Sequence, residues 1–112
     1  LSHMYTFLVD AMETIARRQS VTSTDPSFTD RAILLAYMDE QVSKAFQRFG
    51  GFSDEDLAAE VEAYGSKFPG WQFLSFAYDE HWHHRGQLTV YLRLLGVKPL
   101  MIYGYESLTQ QA

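Results

Sequence analysis

The sequence contains no cysteine, which excludes disulfides, a thiolate nucleophile of its own, and cysteine-ligated zinc or iron–sulfur centres. Any metal would have to be held by His, Asp, Glu or water. Proline is scarce, with three in 112 residues, and no Gly/Ser-rich tract divides the chain. The length suits one domain, residues 1–112, built on one core. Nine Lys and Arg face fourteen Asp and Glu, for a net charge of −5, and the cations never cluster into a basic stripe. Nucleic acid, which is gripped by neutralising its phosphates, is not an expected partner. No apolar stretch approaches the roughly 20 residues needed to cross a bilayer, and no basic segment followed by an apolar one marks export. A cytoplasmic protein with no membrane association is the expectation. Apolar side chains are plentiful, at 46% hydrophobic and 15% aromatic, which suits a packed globule and not a disordered chain.

Three stretches carry the three-and-four spacing of amphipathic helices. From Met4 to Gln19 the apolar positions are Phe7, Leu8, Ala11, Met12 and Ile15, with Arg17 and Arg18 at the end, where the helix dipole favours cations. "RAILLAYMDEQVSKAFQRF" repeats the spacing at Ile33, Leu34, Tyr37, Met38, Val42, Ala45, Phe46 and Phe49, with Thr29 or Asp30 as N-cap and Gly50–Gly51 as the stop. The last helix runs from about Trp71 to Leu95 and is closed by Gly96 and Pro99. Between them, "SVTSTDPSFTD" reads as a loop. "SDEDLAAEVEAYG" reads as a short helix capped by Ser53 and ended by Gly65, and "SKFPGWQ" as a turn around Pro69–Gly70. The tail "VKPLMIYGYES" is apolar enough to pack back on the body. No stretch alternates with the period of a strand. The reading is an all-α bundle, thin at three substantial helices and a short one, with room for a partner chain or a preceding helix to complete its core.

"DEHWHHRGQL", residues 79–88, holds three of the four histidines. On a helix turning 100° per residue, Phe73, Ala77, Leu88, Tyr91 and Leu95 all fall within about 40° of His84, which places His84 on the buried stripe. Glu80 lies one turn before it and His81 three residues before it, so either can share an ion with His84. His83, about 100° round, points sideways or to solvent. Two ligands from one rigid helix and a third from a facing helix make a bundle-interior site. The remaining histidine, His3, can supply the third only if the register of the first helix brings its start to the middle of the last. Against this stands a plainer reading, in which the histidines are surface or capped core residues, Arg85 and Arg93 are solvated, and Tyr78, Trp82 and Tyr91 simply pack. Gly86, in mid-helix, costs roughly 1 kcal/mol relative to Ala, which points to close helix packing there.

"HHRGQLTVYLRLLGVKP", followed by "YGY", resembles the closing helix of the DinB/YfiT-like superfamily of metal-binding four-helix bundles, a likeness that runs from about Thr29 to Tyr105 and is strongest over Glu80 to Pro99. "FSDEDLAAEV" is similar to that family's segment between its third and fourth helices. The resemblance implies an up-down helical bundle of this four-helix type, with "LSHMYTFLVDAMETI" as its second helix and the first one lacking. It implies a divalent metal ion (Zn, Ni or Mn), with the family's last ligand on His84 and its first on His3. The family's ligand one turn before the last is usually histidine, and that position here is Glu80. An oxygen ligand there shifts preference from a three-histidine nickel or zinc site toward a harder or mixed-ligand one, and His81 stands as the substitute for Glu80. Read instead as a vector remnant, "SHM" leaves His3 without a role and the site short of a ligand.

Members of the superfamily include transferases and isomerases that use low-molecular-weight thiols. The resemblance therefore implies a metal-dependent transferase or hydrolase. In it His3, Glu80 and His84 are ligands, a low-molecular-weight thiol or water is the nucleophile, and His81 or His83 is the catalytic proton carrier. The competing reading is a non-catalytic helical oligomerisation module with a vestigial or structural metal site. Under both, the faces around Phe7–Ala11 and Phe46–Phe49 need cover, which implies a homo-oligomer, most simply a homodimer.

Overall fold

Four helices and one hairpin follow in the order α1 (Ser2–Arg17), α2 (Arg31–Gly50), α3 (Asp54–Ala58), β1 (Glu60–Ala63), β2 (Ser66–Pro69) and α4 (Trp71–Leu94) in the computed structural model, which describes residues 1–99. The expected packing of the tail beyond Pro99 lies outside the described residues. Residues 1–82 form one unit, and His83 opens a second.

The helix ends follow from local chemistry. Asp30, not Thr29, caps α2, accepting the backbone N–H of Ile33 at 3.1 Å, and the N–H of Gly51 closes that helix onto the carbonyls of Arg48 and Phe49. Ser53 and Asp56 form a reciprocal capping box at the start of α3, satisfying two backbone donors that the first turn leaves open. α4 ends in a Schellman motif: Gly96 takes φ 79°, its N–H reaches Arg93 O, and that of Val97 reaches Leu92 O.

The expectation of no strands is overturned by β1 and β2, which pair antiparallel with Glu60 opposite Pro69 and Ala63 opposite Ser66. Gly65 does not terminate a helix; it forms the hairpin turn with Tyr64, both at positive φ (74° and 53°), the geometry two-residue hairpin loops require. α3 stops at Ala58 because Ala59 is already extended, at φ −62° and ψ 141°. Strands of four residues are too short to display a period, so this segment reads as helix from its composition alone.

The core of the first unit joins Ala11, Met12 and Ile15 of α1, Ala45 of α2, Val61 and Ala63 of β1, and Phe73 and Ala77 of α4. Phe68, Phe73 and Phe76 meet edge to face beside it. The apolar face at Phe7–Ala11 therefore needs no outside cover: Ala11 is buried and Phe7 packs on the core. Thr6 hydrogen-bonds Tyr37, and Glu13 holds Arg48 at 3.0 Å. Since both pairs advance together, α1 and α2 run parallel. A segment returning from the end of α1 to its start makes this possible. Its first step is locked beside β1 by Ser20 N–H to Glu62 O and Glu62 N–H to Arg18 O. It then climbs back along α1, with Val21 N–H on Thr14 Oγ1 at 3.0 Å and Ser23 on Asp10 through two 2.7 Å bonds. The loop read from "SVTSTDPSFTD" is thus fastened throughout its first half.

The stripe expected to bury His84 is buried only at Phe73 and Ala77. Tyr91 and Leu95 are 60% and 78% exposed, and His84 itself is half-buried. A helical wheel finds which residues share a side but not whether anything covers it. Nor does Gly86 mark a close contact: among the described residues nothing lies within 4 Å of where its Cβ would be. No helix among the described residues is long and apolar enough to cross a membrane.

Candidate metal centre

α1 and the first part of α4 run antiparallel. Ile15, near the end of α1, lies 3.4 Å from the Cβ position of Gly70, just ahead of α4, while His3, in the first turn of α1, faces Glu80. This settles the register that the sequence leaves open. Asp25 brings its Oδ2 to 2.9 Å from His3 Nδ1. An ionised carboxylate can only accept, so Nδ1 carries the proton and donates it, and in the neutral ring it is Nε2 that keeps the lone pair.

That Nε2 lies 3.5 Å from Glu80 Oε2, and the oxygen is itself shielded from solvent. The separation is long for a hydrogen bond. Two ligands bound at roughly 2.1 Å to a tetrahedral ion stand about 3.4 Å apart, so the pair is spaced as ligands of one cation are. His84 follows Glu80 by one turn of the same helix. Its Nδ1 donates to Gln87 Oε1 at 2.7 Å, so that in the neutral ring Nε2 is the nitrogen able to accept. His3 and Glu80 thus offer an imidazole nitrogen and a carboxylate oxygen side by side, and His84, one turn further along α4, carries a second imidazole; nitrogen and oxygen donors of this kind suit zinc, nickel or manganese. The residues fit the expected group.

The other two histidines are used differently. His81 stands edge-on to Tyr5, with ring centroids 5.6 Å apart. His83 is exposed and accepts a hydrogen bond from Gln87 Nε2 at 3.3 Å, so Gln87 bridges it to His84.

A cavity of about 300 Å³ opens beside the His3–Glu80 pair. The returning segment, at Ser20 to Ser23 and Asp25, forms one wall. Phe7, Ala11 and Phe73 supply its apolar surface, and Asp10 and Thr14 its polar floor. Sequence reasoning missed Asp25, Asp10 and Gln87. Gln87 carried a local signal, three residues after His84 on one helix. Asp25 carried none, because a carboxylate 22 residues from His3 has no fixed spacing to it.

The family model described as DinB family matches residues 1–112. Among solved structures, a DinB-like protein, YjoA from Bacillus subtilis, is similar at 26% identity and a TM-score of 0.69, over 90% of this chain and 68% of its own. No curated protein matches.

Proposed function

From the premise that the chain belongs to the DinB family, we propose that it is a divalent-metal-dependent enzyme, a thiol-dependent transferase or a hydrolase, with His3, Glu80 and His84 as metal ligands. The observation that carries this reading is the cavity whose wall includes both His3 and Glu80. A purely structural ion needs no adjoining space, whereas an ion that works on a substrate does. A bound divalent ion would supply a Lewis-acidic position at which a thiol or water loses its proton at neutral pH. The chain's own residues do the rest. Phe7, Ala11 and Phe73 exclude water from one side of the cavity, and the hydroxyls and carboxylates opposite orient the polar part of a small substrate. His83, exposed and tied to His84 through Gln87, is the group able to pass a proton to bulk water. His81 is the second candidate for proton transfer.

Protein prepared without a metal-affinity column is expected to contain a stoichiometric divalent metal by elemental analysis. Adding that metal at 100 times its Kd should stabilise the apo protein by about 2.7 kcal/mol, and His84→Ala should abolish the gain. Titrating the metal-loaded protein with a glutathione-like thiol should release heat. Metal-free protein whose melting is indifferent to added metal, in the wild type and in His84→Ala alike, would remove the reading. Metal binding with no heat from any thiol and no hydrolytic turnover would leave the non-catalytic module in its place.

A further inference from the structure

His3, Asp10 and Thr14 lie at positions i, i+7 and i+11 of α1, so they share one side of that helix. Each holds the returning segment at a successive point: Thr14 takes Val21, Asp10 takes Ser23, and His3 takes Asp25. The first two contacts explain why the segment stays on the helix. Asp10 is buried, and both of its carboxylate oxygens accept from Ser23, one from the backbone N–H and one from the hydroxyl, each at 2.7 Å. The third contact has a different character. It lands on a ring whose other nitrogen faces Glu80.

Resting on the metal-ligand reading above, we infer that Asp25 is the positioning residue for His3, holding its imidazole in the Nδ1–H form so that Nε2 is presented to the ion, and that the returning segment exists in part to deliver it. A free neutral imidazole in water exchanges between its two N–H forms and turns about its χ angles; a carboxylate on Nδ1 removes both freedoms and makes the opposite nitrogen more basic. The arrangement suits a ligand in the first turn of a helix, where few neighbours exist to fix a side chain. His3 is half exposed, at 46% of its side-chain surface, so packing alone does not hold its ring.

Two measurements test this on the whole chain. Long-range ¹H–¹⁵N correlation spectra of the metal-free protein near pH 8 should show His3 protonated on Nδ1, and Asp25→Ala should shift the ring toward the Nε2–H form. Competition with a chromophoric chelator should show Zn²⁺ affinity falling 10- to 100-fold in Asp25→Ala. Ser23→Ala serves as the control, since it loosens the segment while keeping the carboxylate; it should leave the tautomer unchanged and weaken Zn²⁺ by less than threefold. Asp25→Ala with wild-type tautomer and affinity overturns the inference. So does Ser23→Ala reproducing the full loss, because Asp25 would then act only as a staple. A wild-type protein that binds no Zn²⁺ overturns the reading beneath it, while the tautomer measurement, made without metal, still decides what Asp25 does.

Discussion

Gln87 ties two histidines of the cluster together, accepting from His84 Nδ1 and donating to His83 Nε2. Its side chain is exposed, so replacing it removes little packing. Gln87→Leu is expected to leave the melting temperature of the apo protein within a degree or two and to weaken metal binding about tenfold or more, as read by chelator competition. Asp56 offers a separate test at the same scale. Hydrogen bonds from the Ser53 backbone N–H, and then from its hydroxyl, hold the Asp56 carboxyl below its ordinary value of 3.8. A carboxyl whose native pKa is depressed binds protons less readily when folded, so its contribution to stability is complete above the ordinary value and is lost as pH falls through the native one. The melting-temperature gap between wild type and Asp56→Asn should be constant from pH 7 to about 5 and close progressively below about 4. Ser53→Ala, which removes the other half of the box, should cost about 1 kcal/mol at neutral pH.

Among the elements, the joint between the hairpin and α4 is tightly constrained. A Cβ at Gly70 would stand 2.8 Å from Asp56 O and 3.1 Å from Leu57 O, and backbone carbonyls cannot swing aside as a side chain can. Gly70 N–H also bonds Ala59 O at 2.9 Å, fixing the end of α3 against the start of α4. Gly70→Ala should therefore destabilise by about 1–3 kcal/mol in denaturant unfolding. Gly86→Ala should do the opposite, gaining about 1 kcal/mol, since the site around it is open among the described residues. The two substitutions look alike on paper. What separates them, two carbonyls from a helix that precedes Gly70 in the chain, is visible only once α3 is in place. The hairpin is a similar case: "EVEA" and "SKFP" pair because Tyr64 and Gly65 turn the chain, and neither strand alone has enough residues to announce itself.

At the scale of the whole molecule, large apolar side chains stand uncovered on both units. Phe46 is 71% and Phe49 44% exposed on α2, and Leu94 and Leu95 are each 78% exposed near the end of α4. Monomeric proteins seldom leave apolar pairs such as Phe46 and Phe49, one turn apart on α2, in water, so we propose self-association through that face, most simply as a homodimer. Light scattering should give twice the chain mass, and Phe46→Glu should shift the population toward monomer without unfolding it; a monodisperse wild-type monomer would refute the expectation.

Helical periodicity, the cap at Ser53, the stop at Gly96 and the one-turn spacing of Glu80 and His84 were determined by the sequence alone, because each depends on residues no more than a few positions apart along one helix, whereas the choice of Asp30 over Thr29 was not. The meeting of His3 with Glu80, the carriage of Asp25 to His3 and the cavity enclosed beside them were decided by the tertiary structure. Each joins segments far apart in the chain, and their register is set by how α1, the returning segment and α4 pack on the shared core of Ile15, Val61 and Phe73. No spacing within the sequence encodes that register; only the burial of those side chains does.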